Sequence, residues 1–255
     1  MTNIQEKEYD KKINITGQKF TCDDIDTTIP KPLPQKGGFG WLITGRPGYG
    51  KTSLILSLIC KQGKGFNKRF DKVFVFSPSM VTMDEDPFEL IPEDQKFEEP
   101  TFDNLQGVLD TIKDSGEKVL LILDDTICDI RGKGKIAIEN LLQKIFFNRR
   151  HLCGSGGSCS IIATSQTYNK VDPKLRKTCD FLTCYKPVKR EVENIYDDMI
   201  QIPKKEFYDV LKYVFDKKHN FMFLDTSLPD NKMIHKNFNQ LVISSPNITE
   251  DYSLE

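Results

Sequence analysis

The chain has 255 residues, of which 38% are hydrophobic and 29% charged, a size that allows one large domain or two small ones. Its 36 basic and 37 acidic residues give a net charge of −1, which argues against a surface coated in positive charge for nucleic acid. No apolar run approaches the roughly 20 residues needed to cross a bilayer, and the N-terminus lacks the apolar core of a secretory signal. Seven cysteines without a Cys-x-x-Cys spacing favour a reducing compartment and free thiols.

The near-neutral total conceals a separation of charge along the chain. Residues 81–130 carry 3 basic and 15 acidic side chains, whereas residues 131–220 carry 18 basic and 10 acidic ones. Such a chain can present a basic face while it stays neutral overall. Ordinary solvated surfaces give the same pattern, and composition alone does not choose between the two interpretations.

Residues 1–36 are predicted to form an extended N-terminal arm outside the core. The segment is polar, and the prolines at 30, 32 and 34 remove amide donors and favour extended backbone. We expect the folded domain over residues 37–226 and a C-terminal tail over residues 227–255.

From residue 39 onward, short apolar runs alternate with stretches whose apolar residues recur at helical spacing. The runs predict strands at 39–44, 73–76, 119–123, 159–164, 181–185 and 221–224. The periodic stretches predict helices at 53–61, 101–114 and 136–150, and a further helix after Pro203. Because the strand interiors are apolar, the pattern predicts an α/β fold with a mainly parallel central sheet covered on both faces.

Residues 45–52 carry the strongest motif in the sequence. They fit Gly-x-x-x-x-Gly-Lys-Ser/Thr between a predicted strand and a predicted helix. The glycines let successive amides point at phosphate oxygens, and the helix start adds its positive dipole end. We expect Lys51 to neutralise the β- and γ-phosphates and Thr52 to ligate Mg²⁺. The predicted nucleotide-binding residues are Gly45, Arg46, Pro47, Gly48, Tyr49, Gly50, Lys51, Thr52 and Ser53.

Two carboxylates, Asp124 and Asp125, end the apolar strand at 119–123. A carboxylate at the tip of a buried strand beside the phosphate loop can hold Mg²⁺. We assign Asp124 to the metal, together with Thr52. The adjacent Asp125 is expected to polarise the attacking water as a general base.

Three polar residues elsewhere are candidates for completing the site. Gln166 follows the strand at 159–164 and is predicted to sense the γ-phosphate, although Thr164 and Ser165 are close enough to compete. Arg149 and Arg150 end the helix before this strand, and either is a candidate arginine finger for a neighbouring subunit's nucleotide. An equally good interpretation is that each complements the helix C-terminus.

Two short matches point to a different class of protein, a guanine-nucleotide switch. Residues 129–132 fit Asp-x-x-Gly, and residues 169–172 fit Asn-Lys-x-Asp. Context argues against this alternative, because Asp124 and Asp125 already end the preceding strand and Asn169 falls beyond the apolar part of its own strand. A third hypothesis is a nucleotide-dependent scaffold that hydrolyses ATP negligibly.

The succession of motifs resembles the genome-packaging ATPases of nucleocytoplasmic large DNA viruses and virophages, within the FtsK–HerA superfamily. The resemblance covers about residues 38–226 and is carried by the segments 45–52, 73–78, 121–125, 149–151, 161–168 and 172–176. It implies a P-loop NTPase fold, a three-layer α/β/α arrangement of the additional-strand, RecA-like (ASCE) type.

The resemblance also implies an activity and partners. It implies an ATP-driven, Mg²⁺-dependent motor that forms a homo-oligomeric ring and threads double-stranded DNA, without sequence preference, into a shell of viral capsid proteins. The implied location is the host-cell cytoplasm, at the virus factory, and the virion, with no membrane span. Within that scheme Asp125 is catalytic, Gln166 is the sensor, Arg150 or Arg149 acts in trans, and Arg176 is a second candidate for the ring interface. Many motor ATPases have Glu where this chain has Asp125, and DNA contact is expected in the basic block 131–220, including the glycine-spaced basic loop at 131–135.

Overall fold

The computed structural model describes residues 21–59, 65–66, 68–82, 84–128, 130 and 134–243. Over these residues the helices are α1 (Lys51–Ile59), α2 (Ser79–Thr82), α3 (Phe102–Ile112), α4 (Lys135–Asn148), α5 (Pro173–Arg176), α6 (Lys189–Met199) and α7 (Lys204–Val214). The strands are β1 (Gly40–Thr44), β2 (Lys72–Phe76), β3 (Lys96–Phe97), β4 (Lys118–Leu123), β5 (Ser158–Ser165), β6 (Phe181–Tyr185), β7 (Phe221–Asp225), β8 (Ile234–Lys236) and β9 (Asn239–Gln240). Within the described ranges, no helix has the length and apolar character needed to span a membrane.

One sheet contains these nine strands of the described residues, in the order β3-β2-β4-β5-β1-β6-β7-β8-β9. Neighbouring strands from β3 to β6 are parallel, and β7, β8 and β9 join as antiparallel neighbours. β5 lies between β1 and β4 and pairs with both. This is the additional strand of the predicted fold class, and the prediction of an α/β/α P-loop fold with a mainly parallel sheet is confirmed.

Side chains of the central strands alternate between two apolar clusters. In β4, Leu121 and Leu123 belong to one cluster and Leu120 and Ile122 to the other, because successive strand residues point to opposite faces. The first cluster contains the buried faces of α3, α4, α6 and α7, and the second contains that of α1. Both faces of the parallel strands are therefore covered, as the continuous apolar runs predict.

The predicted strands and helices are present in the described residues, with bounds that differ by at most two residues. Residues 60–61, the end of the helix predicted at 53–61, lie outside the described residues. The helix predicted from residue 101 begins at Phe102, because the Thr101 hydroxyl caps it by accepting a hydrogen bond from Asn104 N at 3.2 Å. Helix α6 is not predicted from the sequence, because its buried apolar residues, Val192 and Ile195, lie among many charged ones. The short strands β3, β8 and β9 were also not predicted.

The described part of the predicted N-terminal arm packs on the domain. Ile29 and Leu33 are 4% and 8% exposed and lie in the same cluster as Trp41 and Ile55. Two apolar residues in a polar, proline-rich segment thus anchor it to the sheet. The expectation of an arm outside the core is corrected for residues 21–36, while residues 1–20 lie outside the described residues.

The sheet also continues beyond the expected domain boundary at residue 226. β8 and β9 follow it, and Met233 and Ile234 are buried in the first cluster. The described part of the predicted tail, up to residue 243, therefore adds to the folded domain. Residues 244–255 of the predicted tail lie outside the described residues.

Candidate functional site

The loop between β1 and α1 has the backbone conformation that its glycines allow. Gly48 and Gly50 have φ values of 76° and 102°, in the region that side chains disfavour. At Gly45 a Cβ would lie 2.8 Å from Tyr185 Cβ, so only glycine fits there without movement of β6. The Tyr185 hydroxyl donates to Gly50 O at 3.3 Å. The loop is thus supported by the neighbouring strand, while Arg46, Pro47 and Gly48 are exposed.

Lys51, the first residue of α1, folds back over this loop. Its side chain is 6% exposed, and Nζ donates to Gly45 O at 2.9 Å. Nζ also lies 3.3 Å from Asp125 Oδ2. The structure therefore brings the loop lysine and one strand-end carboxylate together as an ion pair at the mouth of the loop.

Asp124 is buried and is surrounded by three hydroxyl groups. Thr164 Oγ1 donates to Oδ1 at 2.9 Å, Ser77 Oγ donates to Oδ2 at 3.0 Å, and Thr52 Oγ1 lies 3.3 Å from Oδ2. Burial raises the pKa of Asp124, the charge of Asp125 raises it further, and the hydroxyl hydrogen bonds oppose the rise. A cation beside this carboxylate would stabilise its charged form.

The chemistry of this donor set fits Mg²⁺. Thr52 and Asp124 offer a hydroxyl and a carboxylate oxygen, which are hard ligands, and their oxygens already approach each other. No group of three or more His, Cys, Asp or Glu side chains in the described residues forms a metal cage. Mg²⁺ typically binds through one or two protein oxygens, with water and substrate phosphates completing its octahedron. Thr52 and Asp124 therefore offer the kind and the number of protein ligands that Mg²⁺ needs.

Asp125 lies at the surface of the site in an unusual backbone conformation. Its φ is 51°, a left-handed conformation that Asp tolerates better than most residues. The amide N–H of Asp125 donates to Thr164 Oγ1 at 2.8 Å, and the same hydroxyl lies 3.2 Å from Asp125 Oδ1. A hydroxyl has one proton, so Thr164 donates to Asp124 or to Asp125 at any moment while it accepts from the amide. Thr164 thereby links both carboxylates to β5.

Replacing Thr164 by valine is expected to lower kcat about 10- to 100-fold with little change in KM, because the Asp125 amide loses its acceptor and both carboxylates lose a donor. Thr164→Ser is expected to stay near the wild-type rate. A matched control is Thr183→Val, since Thr183 is also buried and accepts a hydrogen bond from Trp41 Nε1 at 2.9 Å. Steady-state ATP hydrolysis measures the effect, and equal kcat values for the two valine variants would contradict the role of Thr164.

The residues around the predicted sensor differ in their surroundings. Gln166 lies one residue beyond β5 and is exposed, whereas Ser165 is buried and its hydroxyl donates to Thr167 O at 2.8 Å. Thr164 is the residue of the three that contacts the carboxylates. Ser77 is a site residue that the sequence does not predict, and its position directly after β2 is the one signal that points to it. The sensor role of Gln166 stays a prediction.

Arg149 and Arg150 lie at the opposite end of the sheet from the phosphate loop. Arg149 is buried, donates to Phe146 O at 2.7 Å and pairs with Asp180 at 2.9 Å. Asp180 in turn accepts from the amide of Gly40, where β1 begins. Arg150 is 44% exposed and pairs with Asp23. Of the two candidate fingers, Arg149 is thus paired within its own chain, and Arg150 is the more exposed to solvent.

Arg176 is also engaged within the chain. Its Nε lies 2.9 Å from Asp198 Oδ2, and its guanidinium stacks on the Tyr168 ring at 4.6 Å. Tyr168 donates its hydroxyl to Asp198 at 3.0 Å, and Lys177 pairs with the other carboxylate oxygen at 3.2 Å. The cluster joins the segment after β5 to α6, and a position at a ring interface stays a prediction for Arg176.

We expect Arg176→Ala to lower the free energy of unfolding by about 2–4 kcal/mol, because Asp198 is 9% exposed and loses a buried partner. Urea denaturation measures this change. Lys174→Ala is the control, since Lys174 lies exposed on the same helix. A loss below about 0.5 kcal/mol for Arg176→Ala, with impaired assembly, would instead identify an interface residue.

The guanine-switch alternative gains no support from the structure. Asp172 caps α5 by accepting from Lys174 N at 2.8 Å, and it also accepts from Gln143 at 3.1 Å. Asn169 accepts from Asn194 at 2.6 Å. These side chains serve local structure, and Asp129 lies outside the described residues.

The site combines a glycine loop with a buried lysine after β1 and two carboxylates at the end of β4. Strand β5 lies between β1 and β4. This is the arrangement of P-loop nucleoside triphosphatases. The fold and the site together place the chain in that class. The NACHT domain family matches residues 41–182, more than half of the chain, and the chain belongs to this family. No curated protein matches the sequence.

Solved structures with the same fold include viral packaging enzymes. B204, the DNA-packaging ATPase of Sulfolobus turreted icosahedral virus, is 16% identical with a TM-score of 0.54, covering 80% of this chain and 98% of B204. The genome-packaging NTPase B204 of Sulfolobus turreted icosahedral virus 2, in complex with AMPPCP, is 15% identical with a TM-score of 0.55. The match covers 79% of this chain and 98% of that structure's chain. The pCW3 conjugation coupling protein TcpA is 11% identical with a TM-score of 0.50, and the match covers 82% of this chain and 61% of TcpA. The predicted resemblance to packaging ATPases is confirmed at the level of fold.

Proposed function

We propose that this chain is an ATP-driven motor that translocates double-stranded viral DNA into a capsid. The observation that carries the proposal is the meeting of Lys51 and Thr52 of the phosphate loop with Asp125 and Asp124, on a fold shared, across four fifths of the chain, with viral DNA-packaging ATPases. The resemblance in motif order over residues 38–226 supports the same activity. The proposal includes a homo-oligomeric ring, viral capsid proteins as partners, and a location in the host-cell cytoplasm and the virion.

The residues of the site have distinct tasks in this proposal. Lys51 and the loop amides hold the ATP phosphates, and Thr52 and Asp124 hold Mg²⁺. The bound metal would neutralise charge on the transferring phosphoryl group. Asp125 accepts a proton from the attacking water, and Thr164 fixes the position of Asp125 through its amide. When ATP binds, Lys51 must turn from Asp125 towards the phosphates, which frees the carboxylate for the water.

The proposed ring requires a cation that acts across a subunit boundary. Arg150 is the favoured candidate, because its side chain is 44% exposed, whereas Arg149 is buried against Asp180. Use of Arg150 as a finger would require its ion pair with Asp23 to open in the assembled ring.

The test measures hydrolysis of ATP and of GTP by the full chain, with and without long double-stranded DNA. A motor should hydrolyse ATP faster when DNA is present, and the stimulation should require duplex longer than one subunit covers. A GTP preference would favour the guanine switch, and ATP binding with negligible turnover would favour the scaffold. Absence of DNA stimulation at every protein concentration would overturn the motor proposal.

A further inference from the structure

Five exposed cations lie on two short segments at one end of the sheet. Lys186, Lys189 and Arg190 follow β6 and open α6, while Lys217 and Lys218 lie in the turn that leads from α7 into β7. We call these five residues the basic rim.

The strand register brings the two segments to the same edge as the phosphate loop. Tyr185, the last residue of β6, pairs with Phe221, the first residue of β7. On its other side β6 runs parallel to β1, with Cys184 opposite Thr44. One end of the sheet therefore carries three segments: the residues that follow β6, the residues that precede β7, and the loop that begins at Gly45.

The acidic side chains nearest to the basic rim are already occupied. Glu191 is buried and accepts from the amides of Tyr168 and Val188 at 2.8 and 3.0 Å. Glu193 pairs with Lys204, and Asp216 pairs with Lys236 at 2.9 Å.

The charge of the basic rim is only partly offset within the chain. Lys189 adds to Lys204 in lowering the pKa of Glu193. Likewise, Lys217 adds to Lys236 in lowering the pKa of Asp216. Among the described residues, none of the five cations has a carboxylate at ion-pair distance, whereas other exposed lysines such as Lys212 do. Exposed lysines and an arginine whose charge is not taken up by an ion pair suit a partner with a regular array of negative charge and no need for base contacts. The phosphate backbone of duplex DNA is such a partner, with one charge per about 1.7 Å of helix axis.

We infer that the basic rim is the surface that grips the phosphate backbone of double-stranded DNA. This inference rests on the proposed motor function and adds to it where the duplex lies, beside the phosphate loop at the carboxyl ends of β1 and β6. Tyr185 connects the two sites, because it precedes Lys186 and its hydroxyl donates to Gly50 O. We expect a change in the loop on nucleotide binding to reach the rim through this contact.

The experiment measures binding of a fluorescent duplex of random sequence by anisotropy, between about 50 and 200 mM salt. One variant combines Lys186→Gln, Lys189→Gln and Arg190→Gln, and another combines Lys217→Gln and Lys218→Gln. The control combines Lys113→Gln and Lys118→Gln, two exposed lysines at the opposite end of the sheet, and it removes the same charge as the second variant.

The triple variant is expected to bind the duplex about 10- to 100-fold more weakly, with a salt slope less steep by about 2–3. Its ATP hydrolysis without DNA should equal that of the wild type, and its stimulation by DNA should be lost, whereas the control keeps both. Equal affinities and slopes for the triple variant and the wild type would overturn the inference and leave the motor function standing. A wild-type protein that neither binds nor responds to duplex would instead overturn the motor function. Tighter binding of the wild type to anionic phosphatidylserine vesicles than to duplex would also overturn the assignment.

Discussion

Replacing Lys51 by alanine is expected to weaken ATP binding about 100- to 1000-fold and to remove measurable hydrolysis. Lys51 is buried at the mouth of the phosphate loop, with Nζ held by Gly45 O and by Asp125. Its charge-assisted hydrogen bonds to two phosphates are worth about 1.5–3 kcal/mol each, and an alanine offers no replacement. Removal of the lysine also leaves Asp125 without its partner in the nucleotide-free protein.

Titration with a fluorescent ATP analogue, together with steady-state hydrolysis, measures both losses. Lys144→Ala is a suitable control, since Lys144 lies exposed on α4, away from the loop. A Lys51→Ala protein that binds and hydrolyses ATP within about threefold of wild type would contradict the assignment of residues 45–52 as the phosphate site.

Replacing Asp125 by asparagine is expected to slow ATP hydrolysis and, at the same time, to tighten ATP binding. The amide cannot accept the proton of the attacking water, so kcat should fall about 100- to 1000-fold. Lys51 must leave Asp125 to reach the phosphates, and the neutral amide releases it. The ion pair is partly exposed, so the gain is modest, and Kd for ATP should fall about three- to tenfold.

Single-turnover hydrolysis and equilibrium binding on the same protein test this pair of effects. Asp124→Asn provides the contrast, because it should weaken the Mg²⁺ dependence of nucleotide binding without releasing Lys51. An Asp125→Asn protein that binds ATP more weakly than wild type would show that the Lys51 pair does not oppose nucleotide binding. Retention of more than about a tenth of kcat would show that another group is the base.

The parts of the site that sequence predicted are those encoded by neighbouring residues. The phosphate loop is contiguous from 45 to 52, and its glycines and lysine are required by the loop itself. Asp124 and Asp125 could be predicted because an apolar strand ends directly before them. In both cases the local pattern contains the strand, the turn and the functional group together.

The parts that sequence did not assign depend on contacts between distant segments. Thr164 and Ser77 reach Asp124 from β5 and from the end of β2, and the strand order that brings them there is not visible in any window of sequence. The same holds for Arg149 and Arg176, whose partners Asp180 and Asp198 lie 31 and 22 residues away. Motif order made these arginines candidates for contact with a neighbouring subunit, and tertiary packing pairs each of them with an aspartate of its own chain.

Composition also gave a wrong boundary for the N-terminal end of the folded domain. Ile29 and Leu33 lie in a segment rich in proline and polar residues, which indicates an arm outside the core. Two apolar side chains nevertheless help to hold the segment on the sheet, since burying each contributes about 1.5–3 kcal/mol.

The two margins of the sheet have a consequence for how copies of this chain can meet. In the described residues the outermost strands, β3 and β9, are two residues long, too short to continue a ladder of main-chain hydrogen bonds into a neighbour. We therefore expect contacts between copies through these margins to be made by side chains and loops. In the proposed ring, such contacts would let each member move against its neighbour during its own cycle of hydrolysis, whereas a continuous sheet would hold the members rigidly together.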